Sequence, residues 1–198
     1  MSTAIIGVGN IGKAVANHLT DGGEPVVLAA STPSEAEQLA RELGPSASAV
    51  GVADAIDQAD AVIFAVWFNV LEDLVRQNVT HLGGKVVIDP SNPVAMDADG
   101  QFSRTLPDGV LAGSVIAGLL LPGAHYVKAF GTVGADKLAS AANRSPDRVV
   151  LFYATDDDVA ASTAERLISA AGFARSRLAA WTRRSGSRCS ATCTTSVA

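Results

Sequence analysis

The residues whose types and spacing carry the plainest chemistry lie near the start of the chain, in Ile5-Ile6-Gly7-Val8-Gly9-Asn10-Ile11-Gly12. The spacing is G-x-G-x-x-G. Gly7 permits a tight turn, Gly9 lets the backbone approach a pyrophosphate with no Cβ in the way, and Gly12 lets a helix pack closely on a strand. Free N–H groups at the helix start, and the helix dipole, favour an anion there. The expected ligand is a dinucleotide, held by Gly7, Val8, Gly9, Asn10, Ile11 and Gly12. The competing reading, a tight turn with no ligand, is disfavoured by the context: a first strand, a first helix, and a βαβ unit closing near residue 30.

The end of the second strand addresses the ribose. An acid there would bind a 2′-hydroxyl, but the segment reads Leu28-Ala29-Ala30-Ser31-Thr32-Pro33, and no acid comes before Glu35. Ser31 and Thr32 leave room for a 2′-phosphate and can donate to it, so NADP(H) is expected over NAD(H). Both could instead cap the next helix. Val66 and Trp67 end another strand and are candidates for lining the cofactor's path; a core-capping Trp67 is the competing reading. Asn92, in Asp89-Pro90-Ser91-Asn92-Pro93, and Thr132, after Lys128-Ala129-Phe130-Gly131, are the candidates on the nicotinamide and substrate side. Lys128 lies within an apolar strand, where an unpaired charge is costly; exposure on an edge strand is expected over pairing with a carboxylate.

Nothing in the sequence singles out a catalytic proton donor. No Ser–His–Asp arrangement, Cys-x-x-Cys pair or catalytic carboxylate pair stands out. His18, His81 and His125 lack metal spacing, and satisfied or surface roles are expected for them. Asp156-Asp157-Asp158 precedes a helix, so capping is expected there and no metal site. Cys189 and Cys193 fit no strong metal or redox signature. Hydride transfer needs no such group, because a nicotinamide supplies the chemistry and the protein orients it.

The elements that must position these residues alternate. Strands are predicted at Thr3–Val8, Pro25–Ala30, Ser48–Val52, Ala61–Trp67, Lys85–Asp89, Tyr126–Phe130 and Arg148–Ala154. Helices are predicted at Ile11–Thr20, Ser34–Leu43, Val70–His81, Val115–Leu121, Ala135–Asn143 and Asp158–Gly172, with a long polar excursion over 92–112. This is the pattern of an α/β chain: a Rossmann-type, doubly wound, mostly parallel sheet with right-handed crossovers and a small C-terminal extension.

Bulk properties agree. Residues are 48% hydrophobic and 18% charged, with a net charge of −5; a nucleic-acid surface is not expected. No apolar run reaches membrane-spanning length, and the start lacks the basic region of a secretory leader, so a cytoplasmic protein with a small-molecule substrate is expected.

The last 24 residues differ. From Arg175 onward there are five Arg, nine Ser or Thr and no acid, whereas the residues through Ala174 hold 10 Lys and Arg and all 20 acids. No strand or helix period survives in this stretch. The expected division is an NAD(P)-binding domain over 1–174 and an atypical basic tail over 175–198.

Several of these segments agree with one family. In order, Ile6 to Gly12, Ala30-Ser31-Thr32, Val87 to Pro93 and Val127 to Gly134 resemble the dinucleotide-binding proteins related to NADPH:coenzyme F420 oxidoreductase, over residues 5 to about 174. The resemblance implies NADP(H) held by the Gly7–Gly12 turn and by Ser31-Thr32. It also implies direct hydride exchange with a second organic acceptor, coenzyme F420 or a flavin-like or small carbonyl or imine compound; a homodimer is expected. The family often carries Arg where Thr32 stands. It also ends in a Gly-Gly-Leu-Asp-like turn and a Gly-Asp-Leu-His-like segment that this tail lacks. One C placed before GC-rich codons for Arg175 through Ser196 yields a peptide with both features. A reading-frame shift at Arg175, with catalysis impaired as a result, is therefore one reading of the tail; a genuine disordered basic tail is the other. For the whole chain, a non-catalytic NADP-binding sensor is the alternative to an oxidoreductase, and an S-adenosylmethionine enzyme is the third.

Overall fold

The computed structural model describes residues 1–178. In chain order the elements are β1 (Thr3–Ile6), α1 (Asn10–Asp21), β2 (Val26–Ala29), α2 (Pro33–Leu43), β3 (Ala47–Ala49), α3 (Val52–Gln58), β4 (Ala61–Phe64), α4 (Phe68–Asn78) and β5 (Val86–Asp89). Then come β6 (Val94–Met96), β7 (Phe102–Arg104), α5 (Ala112–Leu119), β8 (His125–Lys128), α6 (Ala135–Ser140), β9 (Val150–Tyr153), α7 (Asp158–Ala170) and β10 (Ala174–Arg177).

Strands β1, β4 and β5 are buried along their whole length. Such runs suit a parallel sheet covered on both faces. Six strands form it, in the order β3-β2-β1-β4-β5-β8, with every pairing parallel. The doubly wound α/β architecture expected from the alternating pattern is therefore the one observed. Because strand side chains alternate, neighbours in sequence serve different cores. Ile5, Ile63, Ile88 and Val127 meet helices α1, α2, α6 and α7. Ile6, Phe64, Val87 and Tyr126 meet α3, α4 and α5.

The helices form for readable reasons. In α2, Pro33 takes the first turn, Ala36, Leu39 and Ala40 make the buried stripe, and Gly44 ends it at φ +76°.

Several boundaries differ from expectation. The strand predicted over Ser48–Val52 ends at Ala49, and Val52 opens the unpredicted helix α3 after Gly51. Only Ala55 and Ile56 of α3 are buried, too few apolar positions to show a helical period. The 92–112 excursion holds the hairpin β6–β7, its turn closed by Asp97 Oδ1 accepting from the amides of Asp99 and Gln101. Beyond the sheet edge, Lys128 and Ala154 exchange backbone hydrogen bonds of 3.0 and 2.9 Å, which joins β9 antiparallel to β8. Strand β10 then pairs parallel with β9 through Arg177. Regular structure thus continues past residue 174, where the composition changes; this corrects the expectation that no period survives beyond it. The remainder of the basic tail, with both cysteines, lies outside the described residues. Among those described, no helix is long and apolar enough to cross a membrane.

Candidate functional site

The glycine turn is built by close contacts. Gly7 has φ +96°, and a Cβ there would stand 2.6 Å from the Ala65 carbonyl oxygen. A Cβ on Gly12 would meet the Gly7 oxygen at 1.9 Å, so helix α1 sits directly against the strand end. The Gly7 amide donates to Ala29 (2.8 Å), and Ala65 donates to Ile6 (2.8 Å); both neighbouring strands fix the turn. Gly9 is the residue preceding α1 and has no side chain to cap it. The first intrahelical bond is Lys13 to Gly9, 2.8 Å, which leaves the amides of Asn10, Ile11 and Gly12 without an acceptor inside the helix. No acid occupies the first turn. A Cβ on Gly9 would meet nothing within 4 Å. The turn is thus packed tight on its inner side and open on its outer side, toward three amides and a helix dipole: a fit for a pyrophosphate.

The other candidates gather at the same end of the sheet. Ser31 and Thr32 follow β2, Val66 and Trp67 follow β4, Asn92 follows β5, and Thr132 follows β8. The strand order reverses between β1 and β4, the crevice position for a ligand in such sheets. Ser31 and Thr32 are exposed. Thr32 precedes α2 but its hydroxyl makes no capping bond, so capping does not occupy it. Trp67 is 51% exposed, at the carboxyl end of β4, while Val66 packs against the second core. Asn92 Nδ2 donates to the Gly131 oxygen at 3.1 Å. Thr132 Oγ1 accepts from the Phe152 amide at 3.3 Å.

Two grooves flank α1. One of about 190 Å³ is lined by Val8, Lys13, Glu35, Gln38, Leu39 and Glu42. The other, about 350 Å³, runs from Asn10 between α1 and α6.

Sequence reasoning missed a buried polar cluster at the ends of β5 and β8. Asp89 is fully buried. Its Oδ1 accepts from the Ser91 amide (2.7 Å) and hydroxyl (2.6 Å), and its Oδ2 from Tyr126 Oη (2.7 Å) and Lys128 Nζ (3.1 Å). Lys128 also donates to the Ser91 carbonyl. The expected solvent-exposed Lys128 is therefore corrected: it pairs with a carboxylate, because Asp89 and Lys128 are register partners on one face of the sheet. Without Lys128, the buried Asp89 carboxylate would keep only Ser91 and Tyr126 as donors. Burial first, then the charge of Asp89 and its hydrogen bond, pushes the Tyr126 hydroxyl well above the ordinary tyrosine range. The available signal was an acid and a lysine closing two apolar strands. Nearby, Phe130 is fully buried at φ +64°, a conformation uncommon for a bulky residue.

The histidines are satisfied as expected. His18 bonds the Leu138 oxygen (2.9 Å), His81 bonds Asp57 (2.7 Å) and His125 bonds Asp157 (2.7 Å). Asp157 caps α7 by accepting from the Ala160 amide at 2.9 Å.

Residues 2–93 match the family described as NADP oxidoreductase, coenzyme F420-dependent. No curated protein matches the chain. Among solved structures, a hypothetical protein from Sinorhizobium meliloti is 36% identical, over 90% of this chain and 84% of that one, with a TM-score of 0.80. A candidate F420-dependent NADP reductase from Arthrobacter sp. FB24 is 21% identical over 89% and 83%, with a TM-score of 0.75. A reductive aminase from Aspergillus terreus, solved with NADPH and ethyl levulinate, is 18% identical over 89% of this chain and only 54% of its own length, with a TM-score of 0.66. With the glycine turn, the strand order and these likenesses together, the chain belongs to the coenzyme F420-dependent NADP oxidoreductase family.

Proposed function

We propose that this protein is an NADP(H)-dependent oxidoreductase that exchanges a hydride between the nicotinamide and a second organic acceptor, either coenzyme F420 or a flavin-like or small carbonyl or imine compound. The observation that carries the reading is the turn: packed on its inner side at Gly7 and Gly12 and open at Gly9, before a first helical turn without acids. In it, Gly7, Val8, Gly9, Asn10, Ile11 and Gly12 hold the pyrophosphate. Ser31 and Thr32, whose surroundings carry no acid before Glu35, address the 2′-phosphate. Val66 and Trp67 flank the cofactor, and Asn92 and Thr132 position the nicotinamide or acceptor. Bound NADPH supplies the hydride; the chain supplies binding and orientation. Family membership supports the choice of cofactor, as does the aminase solved with NADPH. The description of the matching family and the Arthrobacter likeness support F420 as an acceptor. Titration with NADPH, NADH and S-adenosylmethionine tests the cofactor: failure to bind either nicotinamide nucleotide overturns the reading. Loss of NADPH absorbance with an acceptor panel separates an enzyme from a sensor.

We propose a cytoplasmic location, in keeping with a nicotinamide-dependent reading and a net charge of −5. We also propose a homodimer, supported by exposed apolar side chains such as Met96 and Phe102 and tested by light scattering on the eluting protein. For the domain layout, we propose that residues 1–174 bind the cofactor and that 175–198 arise from a shifted reading frame. The shift leaves cofactor binding intact and lowers turnover. Sequencing across codon 175 tests this: a neighbouring frame encoding a Gly-Gly-Leu-Asp turn supports it, and no such frame overturns it.

A further inference from the structure

We propose that Lys128 is a positioning residue, which with Asp89 and Tyr126 locks the loops after β5 and β8 into one rigid platform for the nicotinamide end of the cofactor. The proposal rests on the NADP(H) reading above.

Three independent ties join the two loops. The first is the carboxylate of Asp89. All four of its hydrogen bonds are internal: two hold Ser91 in its own loop, and two come from Tyr126 and Lys128 on the neighbouring strand. Lys128 extends this tie by donating to the Ser91 carbonyl, so one ammonium grips both the strand end and the loop that follows. The second tie is Asn92 Nδ2 to the Gly131 oxygen, 3.1 Å. The third is steric: a Cβ at Gly131 would lie 2.4 Å from the Pro90 oxygen, so the two backbones touch. Phe130, fully buried at φ +64°, sits between Lys128 and this contact. A left-handed bulky residue persists only where its surroundings over-determine it. Here those surroundings are the first core, in which the Phe130 side chain is buried, so the chain between Lys128 and Gly131 is anchored as well.

The platform stands at the carboxyl ends of β5 and β8, away from the Gly7–Gly12 turn and on the far side of β4 from Ser31-Thr32. Its loss should therefore leave the adenosine half of the cofactor bound. Lys128 shows 27% of its side chain to solvent while Asp89 shows none; the lysine is the member whose replacement disturbs the loops with least damage to the core.

Two probes separate the halves of the cofactor: 2′,5′-ADP, which lacks the nicotinamide, and NADPH, whose emission reports immobilisation of that ring. Lys128→Met should bind 2′,5′-ADP within about threefold of wild type and bind NADPH about tenfold more weakly, with the emission gain lost; one such interaction lost corresponds to about tenfold in Kd. Lys128→Arg should restore part of both NADPH signals, which a generally loosened fold would not do. In the cofactor-free proteins, amide exchange at residues 91–92 and 131–133 should speed up about tenfold in Lys128→Met. Tyr126→Phe, which keeps the ring and removes one donor, should show a smaller change of the same sign. If NADPH and 2′,5′-ADP weaken equally, or loop exchange stays at the wild-type rate, the platform is refuted. If wild-type protein binds neither probe, the NADP(H) reading fails, and with it the nicotinamide role of the platform.

Discussion

Replacing Gly9 with Ala puts the glycine turn to its sharpest test, because the structure predicts opposite effects on folding and on binding. Gly9 adopts φ −69° and ψ −166°, which alanine tolerates, and its Cβ would meet no atom within 4 Å. The fold should not notice: alanine restricts the unfolded chain by about 0.4–1 kcal/mol and is a poorer residue ahead of a helix by a similar amount. The ligand should notice, because the added methyl stands where a pyrophosphate must approach the amides of Asn10, Ile11 and Gly12. Losing two charge-assisted hydrogen bonds, at about 1.5–3 kcal/mol each, raises the Kd for NADPH by roughly 10²- to 10⁴-fold. Gly12→Ala is the contrast. There the Cβ falls 1.9 Å from the Gly7 oxygen, and α1 must retreat by roughly 1.5 Å to reach ordinary contact, so stability should drop by about 1–3 kcal/mol as well. Urea melts and NADPH titrations of the three proteins provide the assay. A Gly9→Ala protein that binds NADPH like wild type would refute the assignment of the turn to the phosphates.

Three further outcomes are expected. Thr32→Arg, placing a guanidinium where the hydroxyl is free of capping duty, should favour NADPH over NADH by about tenfold or more, as one charge-assisted bond gives; unchanged discrimination in paired titrations would remove Thr32 from the 2′-phosphate site. Burial pushes the Asp157 carboxyl up, but the Ala160 amide and His125 pull it below its ordinary range. Its contribution to stability is then present above the unfolded value and is lost as pH falls through the folded one, so Asp157→Asn should flatten the dependence of the urea midpoint on pH below about pH 4. Ile63→Ala, at a fully buried site in the first core, should cost about 2–5 kcal/mol by urea melts.

The parts legible from the amino-acid sequence were those whose physics is local. A continuous apolar run such as Ala4-Ile5-Ile6, followed by G-x-G-x-x-G, specifies strand, turn and helix within ten residues, and the strand order confirms the layout they imply. Helix α3 was hidden because a seven-residue helix with two buried positions leaves no period to detect. The Lys128–Asp89 pair was hidden for a different reason. Thirty-nine residues separate them, and only the parallel register of β5 with β8 brings them together. A charge in an apolar strand announces that it needs a partner; it does not say which. Strand β10 was masked by its two arginines, which find Glu165 and Asp158 on α7. Exposed alternate positions on an outer strand leave room for any residue that can reach a neighbour.

Strand β1 lies in the middle of the sheet, hydrogen-bonded to β2 on one side and β4 on the other, and the Ser2 oxygen takes the amides of Asp60 and Ala61. During synthesis, then, Thr3–Ile6 must wait for Phe64 to emerge before both its edges are filled. Until then a strand that is buried along its whole length in the fold is open on one side, the kind of segment that chaperones hold and that associates wrongly when they do not. The same placement means that losing Thr3–Ile6 would not fray an edge but would remove a central strand, so a cut just after them should destroy the whole domain in one step.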